Sequence, residues 1–508
     1  GNIVYNKAPG FLKQAEFYLG ETEFKTAVRA FLKDHEYNNA EWSDLVSAFE
    51  RSSGKDLKNW ADVWVKKRGL PIVRLKRSSF HSYKKMGQPH DTADIYSLAQ
   101  ENVLGEESLW QMKTRVYLKF DSDRTEVKEV TLNNKARNPK NGFARYWVDI
   151  QSNPNFKPNT PKLVFPNYND HGYGIFLLDF RSRKYVLENI KDEKDDFLRS
   201  MMWGALWDSV RFAELDPMEY INLALNNIDV EEDVTTISSI LGRVNTAFTY
   251  YLSDARQKEI APRLEKLLIE KMRSGKTQGE RITFYRAFLS AATSEKSRNL
   301  LKELLKSSIS SPTVKEGRKD TDKVTPASKR MPDLAVGLPK LRTRDKFDIA
   351  KRLIILGDKD ASNLLDELEK TEKGDAAKRY AYAAKAGFAT KENKAKYWND
   401  FINNKEISES WIEAASRVWN SPRHSKLTLP YLEKALAELP NHKQNRKIFF
   451  VNGWVASFIG GQKGVDALEK INNFLVKNPG LDLDLKRKIL ERVDGLERAV
   501  KIREKYSK

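Results

Sequence analysis

The chain has 508 residues, of which 40% are hydrophobic and 31% are charged, and its net charge is +19. This balance excludes an intrinsically disordered chain, and the length predicts about three domains at roughly 100–200 residues each. The sequence contains no cysteine, which excludes disulfides, thiolate metal sites and a cysteine nucleophile.

The excess of basic residues could indicate an anionic partner, because strongly basic chains bind nucleic acid, anionic membranes or acidic peptides. However, the 89 basic residues are scattered among 70 acidic ones. The aromatic residues also do not alternate with Lys and Arg, as they do where nucleobases stack. We therefore interpret the charge as a solvated, lysine-rich surface and expect no nucleic acid partner. No apolar run reaches about 18 residues, so no membrane span is expected.

Residues 9–67 are predicted to be helical. Pro9 suits the first position of a helix, where its missing N–H costs nothing, and Gly20 is typical of a helix end. Apolar residues recur at helical spacing in four segments, and Gly69 ends the last one. The apolar positions of these segments are Phe11, Leu12, Ala15, Tyr18 and Leu19; Phe24, Ala27, Val28, Phe31 and Leu32; Trp42, Leu45, Val46 and Phe49; and Leu57, Trp60, Val63 and Trp64.

Residues 72–185 change to short alternating runs separated by turn-prone clusters. This spacing predicts a small antiparallel β-sandwich. The polar stretch Ser78–Gly105 is interpreted as a long loop or a hairpin. The predicted strands are Arg115–Phe120, Glu126–Leu132, Arg145–Ile150, Lys162–Phe165 and Gly174–Phe180.

The helical period returns from about Asp195 and continues to the end of the chain. Successive short helices with no strand between them favour an α-solenoid of the HEAT or armadillo kind. A break at 308–344 is rich in Ser, Pro, Lys and Arg, with a net charge of +5. We interpret it as a linker or surface loop. The stripes before this break span 198–210, 216–227, 233–252, 256–273, 278–291 and 295–307.

The histidines do not form a recognisable metal site. A zinc peptidase of the His-Glu-x-x-His class needs two imidazoles at i and i+4 on one helix face. The only His-Glu pair is His35–Glu36, and Asn39 stands where the second His is required. We interpret His35 as a residue at a helix end. Asp91 and Asp94 follow His90 in a stretch that is interpreted as a polar loop, and His171 is interpreted as part of a tight turn that enters a strand. Residue chemistry alone therefore predicts no metal ligands and no complete active site.

The order of several short segments resembles the aminopeptidase-N family of zinc peptidases, the gluzincins. The block Val4–Gln14 is similar to the Val-Tyr-x-Lys-Gly-Ala segment of that family, although Ala8 stands where the family usually has Gly. The segment Met202–Asp208 resembles the first helices of the family's C-terminal domain. The remaining landmarks, in order, are Tyr18-Leu19-Gly20-Glu21, Phe24, Phe31-Leu32, Asn39-Ala40, Asp44-Leu45, Ser53-Gly54, Trp60, Trp64, Gly69-Leu70-Pro71 and Gly172-Tyr173.

This resemblance implies a domain order and a missing metal site. Residues 1–70 would be the C-terminal helices of a thermolysin-like catalytic domain, 71–190 a β-sandwich, and 191–508 an α-helical superhelix of the HEAT/armadillo type. The family's substrate-anchoring Gly-x-Met-Glu-Asn loop and its His-Glu-x-x-His motif would lie upstream of residue 1. Zinc is therefore expected in the parent protein and not in this chain.

The resemblance also implies one catalytic residue, Tyr5. The matching tyrosine of the family donates a hydrogen bond to the oxyanion of the tetrahedral intermediate, and a neutral phenol suits that role. The parent is thus expected to be a zinc aminopeptidase that acts on peptides, and the chain alone is expected to be inactive. The alternative is a free-standing α-solenoid module that binds an acidic protein or nucleic acid.

Overall fold

In its described residues the chain is mainly helical with a small β region, as the sequence predicts. It divides into two compact units, Gly1–Ser209 and Val210–Lys508. The computed structural model describes residues 7–82, 91–120, 124–132, 137–138, 143–148, 160–309 and 341–507, without the side chains of 79–82, 91–93, 137–138 and 143–148.

Four helices open the first unit, and they confirm the helical spacing of the sequence. Gly20 ends the first of them with φ at 110°, where a side chain would be strained, and Gly54 ends the third in the left-handed region. The helices are α1 (Ala8–Leu19), α2 (Glu21–Asp34), α3 (Trp42–Ser53) and α4 (Lys58–Lys66).

The described strands of the first unit form two sheets. The stretch interpreted as a loop or hairpin is paired as two long antiparallel strands, in register from Pro71 opposite Asn102 to Ser82 opposite Asp91. The strands are β1 (Pro71–Ser82), β2 (Asp91–Asn102), β3 (Met112–Lys119), β4 (Thr125–Leu132), β5 (Arg137–Asn138), β6 (Phe143–Val148), β7 (Leu163–Pro166) and β8 (Ile175–Leu177). One sheet has the order β5-β6-β2-β1-β8 and the other the order β4-β3-β7. Strands β1 and β8 are parallel, so the prediction of a wholly antiparallel β region is wrong at this edge.

The strand predicted over Gly174–Phe180 extends too far. Strand β8 stops at Leu177, and helix α5 (Phe180–Asn189) follows directly. Asp179 causes this early stop, because its carboxylate accepts a hydrogen bond from the backbone N–H of Ser182 at 3.0 Å and caps the new helix. Helix α6 (Asp196–Arg211) comes next and agrees with the predicted apolar stripe.

The helices and both sheets of the first unit share one apolar core. The indole N–H groups of Trp60 and Trp64 both donate to the backbone carbonyl of Gln111, at 3.0 and 3.1 Å. The buried side chain of Gln100 binds both the N–H and the C=O of Trp110. Each buried aromatic ring removes roughly 150–250 Å² from water, so truncating one would cost about 3–5 kcal/mol.

The second unit is helical throughout its described part. Helix α11 ends at Ile309 and α12 begins at Thr343, while 310–340 within the predicted linker lies outside the described residues. The helices are α7 (Pro217–Asn227), α8 (Val234–Thr246), α9 (Asp254–Ser274), α10 (Gln278–Ala291), α11 (Glu295–Ile309), α12 (Thr343–Ile355), α13 (Ala361–Thr371), α14 (Asp375–Lys385), α15 (Lys391–Asn403), α16 (Glu409–Trp419), α17 (Ser425–Thr428), α18 (Leu432–Ala437), α19 (Leu439–Asn445), α20 (Ile448–Gly460), α21 (Val465–Lys477) and α22 (Leu483–Tyr506).

Alternate helices of the second unit pack against one another. Helix α8 contacts α10, α10 contacts α12, α12 contacts α14, and α14 contacts α16. This series of helix contacts continues from α16 to α20 and from α20 to α22. Among the described helices of the whole chain, none is both long and apolar enough to cross a membrane.

A buried lysine without a carboxylate partner lies in the second unit. Lys394 on α15 is fully buried, and its ammonium group donates to the backbone carbonyls of Ala386 and Trp419 at 3.0 and 2.9 Å. Burial lowers the pKa of Lys394 from 10.5 to about 7. A neutral amine has two N–H groups, which these two carbonyls satisfy.

Lys394 is expected to make folding depend on pH. The unfolded chain keeps this proton up to pH 10.5, whereas the folded protein releases it near pH 7. Stability should therefore rise as the pH increases through that window, by up to about 1.4 kcal/mol per pH unit. Lys394→Met should abolish this slope, whereas Lys396→Met, an exposed change on the same helix, should keep it. Urea titrations between pH 7 and 10 measure both slopes, and equal slopes in the two variants would contradict the assignment.

Candidate active-site segment

Tyr5, the predicted catalytic residue, lies outside the described residues, and the described chain begins two positions later at Lys7. Lys7 is half-buried and precedes the first residue of α1. Burial lowers the pKa of its ammonium group. Helix α1 is thus the described element that leads directly from the candidate residue, and its contacts define how that segment is held.

The first turn of α1 lies against an aromatic ring. A Cβ atom on Gly10 would lie only 2.5 Å from a ring carbon of Tyr173. Glycine at this position therefore allows the helix backbone to approach the tyrosine closely. The ring of Tyr173 also lies near Trp64, with 6.4 Å between the ring centroids.

The next residue, Phe11, fixes the apolar face of α1 in an aromatic cluster. Its ring centroid lies 4.7 Å from that of Trp42, 5.0 Å from that of Trp60 and 6.2 Å from that of Trp64. The arrangement is edge-on or tilted, as aromatic pairs prefer. This cluster holds α1 against α3 and α4.

The buried amide of Gln14 joins α1 to the β region. Its side-chain nitrogen donates to the carbonyl of Lys113 at 2.9 Å and to the carbonyl of His171 at 2.8 Å. Its side-chain oxygen accepts from the N–H of Lys113 at 2.6 Å. Gln14 is fully buried, so these three hydrogen bonds satisfy both amide hydrogens and the oxygen without water.

The turn that presents the His171 carbonyl has an unusual backbone. Asn167, Asn169 and Asp170 have φ angles of 60°, 63° and 55°, in the left-handed region. The buried side chain of Asn167 accepts from the N–H of Gly172 at 2.6 Å and donates to its carbonyl at 2.8 Å. These hydrogen bonds hold the turn closed in spite of its conformation.

The His171 ring completes this contact with α1. It stacks on the ring of Phe17, with centroids 3.9 Å apart, and its Nε2 atom is buried without a hydrogen-bond partner in the described structure. Burial, reinforced by the positive charges of Arg115 and Lys13, lowers the pKa of His171 to about 4. The imidazole is therefore neutral at ordinary pH and packs against Phe17. The predicted tight turn is present, but the burial of the ring was not predicted.

The other candidate side chains have local partners. His35 lies at the end of α2, as predicted, with Nδ1 3.0 Å from the carbonyl of Phe31 and Nε2 3.4 Å from the carboxylate of Asp44. Asp94 lies 3.5 Å from Arg77 and 3.6 Å from Arg181. His90 lies outside the described residues.

The described side chains do not fit a zinc site. In the part of the chain that the structure describes, no group of three His, Cys, Asp or Glu residues is arranged to hold a metal ion. The expectation that this chain binds no zinc stays a prediction, which a measurement of zinc in the purified chain can test.

The interpretation of the sequence missed Gln14 and Asn167, the two buried polar side chains that hold this segment together. One signal could have identified Gln14. It lies at helical spacing between Phe11 and Tyr18 on the apolar side of α1, where a polar residue requires a partner. Its partners are 99 and 157 residues away in sequence, so the neighbouring residues of the sequence cannot identify them.

Comparison with known families agrees with this arrangement of helices and sheets. The sequence profile of the ERAP1-like C-terminal domain matches residues 163–498, and that of the peptidase family M1 domain matches residues 1–64. Together they define a peptidase-related protein. The chain belongs to the ERAP1-like C-terminal domain family, and it is similar to the C-terminal portion of M1 aminopeptidases.

Individual relatives are similar over different lengths. Aminopeptidase N of Streptomyces lividans is 23% identical over 522 residues, which cover 98% of this chain and 54% of the relative. Tricorn protease-interacting factor F2 of Thermoplasma acidophilum is 41% identical over 76 residues, or 15% of this chain and 10% of the relative. The chain thus spans about half the length of the Streptomyces relative.

A solved structure shares the fold. The structure of Legionella pneumophila aminopeptidase A in complex with aspartic acid matches with a TM-score of 0.53 and 12% sequence identity. The match covers 98% of this chain and 57% of the Legionella chain.

Replacing the Gln14 amide should loosen α1. Gln14→Leu leaves the N–H and C=O of Lys113 and the C=O of His171 buried without partners, which should destabilise the first unit by about 3 kcal/mol. Glu16→Leu, an exposed change on the same helix, is the control. Urea titrations followed by tryptophan fluorescence measure both, and equal midpoints for the two variants would show that the amide does not hold the helix.

Proposed function

We propose that this chain is the C-terminal part of a zinc aminopeptidase that removes N-terminal residues from peptides. The proposal is supported chiefly by the two family matches, which together span residues 1–64 and 163–498. Relatives with similar sequences include proteins named aminopeptidase N and aminopeptidase M1. The zinc would belong to the parent protein, because the chain offers no His-Glu-x-x-His motif.

In this proposal the domains of the parent divide the chain into three parts. Residues 1–70 are the last helices of the catalytic domain, 71–190 form a β-sandwich, and 191–508 form an α-solenoid. The two sheets that share an apolar core support the sandwich. The packing of alternate helices, from α8 to α22, supports the solenoid.

Tyr5 is the proposed catalytic residue of this chain. Its neutral phenol would donate a hydrogen bond to the carbonyl oxygen that gains negative charge during peptide hydrolysis. Covalent geometry limits the distance between the Cα atoms of Tyr5 and Lys7 to about 7 Å. The contacts of Gly10, Phe11 and Gln14 hold helix α1, which begins three residues after Tyr5. A fixed helix at this point supports the proposal, because a hydrogen-bond donor in an active site must be positioned precisely.

The phenol can be tested in the longer protein that contains the zinc site. Tyr5→Phe should lower kcat by about 10²–10³ without lowering the zinc content, because it removes one hydrogen bond to the oxyanion. Tyr18→Phe is the matched control, since Tyr18 lies on α1 and its ring stacks on Trp60. Equal kcat values for Tyr5→Phe and Tyr18→Phe would exclude Tyr5 as the oxyanion donor.

The chain on its own should be inactive. Purified residues 1–508 with added zinc should release no chromophore from an aminoacyl p-nitroanilide and should retain no stoichiometric zinc after dialysis. The reason is that hydrolysis requires a bound cation with several protein ligands. Zinc-dependent turnover by the purified chain, abolished by a chelator and restored by zinc, would refute the proposal that the metal belongs to the parent.

A further inference from the structure

A cleft in the second unit is lined by an excess of positive charge. It lies between α8, α10 and α12 and has a volume of about 560 Å³. We call it the basic cleft. Its charged lining residues are the five cations Arg286, Arg342, Arg344, Lys351 and Arg352 and the two carboxylates Asp345 and Asp348.

Both carboxylates of the basic cleft are already paired. Asp345 lies 3.1 Å from the guanidinium of Arg342. Asp348 lies 3.7 Å from Arg344 and also binds the ammonium group of Lys351. These pairs involve three of the five cations, and they leave the remaining two without a carboxylate.

The two remaining cations are Arg286 and Arg352. Among the described residues, neither has a carboxylate within ion-pair distance. Arg352 donates from Nε and Nη2 to a single acceptor, the carbonyl of Ala292, at 3.1 and 2.8 Å. Burial, together with the charge of Arg423, lowers the pKa of Arg352 to about 10, and the negative charge of Glu265 offsets only part of this effect.

A buried hydroxyl group lines the same cleft. Tyr285 on α10 is 6% exposed, and its hydroxyl has no hydrogen-bond partner within the described residues. Burial, and then the charges of Asp345 and Asp348, raise the pKa of Tyr285, so the hydroxyl keeps its proton and can donate. A buried polar group without a partner is unusual in a folded protein and indicates a place for a ligand atom or water.

A second cleft provides an internal comparison. It lies between α9 and α11, has a volume of about 630 Å³ and is close to the basic cleft in size. Its charged lining residues are balanced, with Lys266, Arg273 and Lys296 against Glu270, Glu295 and Glu303. The charge excess is therefore a property of the basic cleft and not of every groove between these helices.

We propose that the basic cleft binds a small molecule that carries a dianionic oxygen group, either a phosphate or a pair of carboxylates. Arg286 and Arg352 supply the two positive charges that such a group requires, and Tyr285 supplies a hydroxyl donor. Guanidinium groups suit this role because their planar N–H donors match the oxygens of phosphates and carboxylates. The volume lies within the range of small-molecule sites, about 300–1,000 Å³. The site is independent of peptide hydrolysis.

The probes are inorganic phosphate at pH 8, where it is a dianion, and succinate, with succinamide as the uncharged analogue of succinate. Calorimetric titration of the purified chain at constant ionic strength should give a Kd below about 1 mM for at least one anion. The two anions separate a phosphate site from a carboxylate site. Binding of succinamide as tight as that of succinate, or no binding of either anion up to about 10 mM, would overturn the proposal.

Three variants locate the binding. Arg286→Gln changes an exposed side chain and should weaken binding about tenfold or more. Tyr285→Phe should weaken binding several-fold while the ligand-free protein unfolds at the same or a higher temperature, because an unpartnered hydroxyl is removed. Arg273→Gln, in the charge-balanced cleft, should leave the affinity unchanged. If Arg286→Gln and Tyr285→Phe both bind like the unmodified chain, the ligand lies elsewhere and the proposal fails.

Discussion

The buried amide of Gln14 is the interaction on which the arrangement of the first unit depends. Both amide hydrogens and the side-chain oxygen bind backbone groups of β3 and of the turn before β8. Since a buried amide or peptide group without a partner costs about 1–3 kcal/mol, α1 can shift only if the strand and the turn shift with it. The stacking of Phe17 on His171 adds a second contact to the same turn. The helix that follows Tyr5 is therefore positioned by the β region as firmly as by its neighbouring helices.

The same constraint explains the backbone of the turn at Asn167–Gly172. For the carbonyl of His171 to reach Gln14, the chain must reverse within a few residues, and three of them adopt left-handed φ angles. Asn tolerates this conformation better than most residues, and the side chain of Asn167 supplies the hydrogen bonds that the reversed backbone would otherwise lack. Gly172 is required as well, because a Cβ atom there would lie 2.7 Å from the ring of Phe176.

The sequence predicts the helices well and the long-range contacts poorly, for a physical reason. The helical stripes depend on spacing within one segment, so α1 to α4 and α6 to α11 are recognisable from their apolar residues. Strands β1 and β2 pair with each other through residues of mixed polarity, and such a pattern is compatible with a loop as well as with a hairpin. Helix α5 begins at the single cap residue Asp179. The start of this helix is not predicted, because the strand pattern continues to Phe180. Tyr5 is proposed on the resemblance alone, since a phenol has no local pattern that distinguishes a catalytic residue from a packed one.

The buried ionisable side chains of the second unit differ in how their charge is compensated, and this difference distinguishes the basic cleft. Glu265 is buried, and burial would raise its pKa, but hydrogen bonds from Ser294, Ser297 and Thr293 outweigh that effect and lower it. For Lys394, burial lowers the pKa of the ammonium group to about 7, so the side chain can lose its proton and bind two carbonyls as a neutral amine. Arginine cannot lose its charge in this way, because its pKa stays far above neutral pH. A guanidinium that is buried beside other cations must therefore find an anion. Among the described residues no carboxylate lies within ion-pair distance of Arg352, and the charge of Glu265 compensates it only in part, so we expect the closer partner to come from solution.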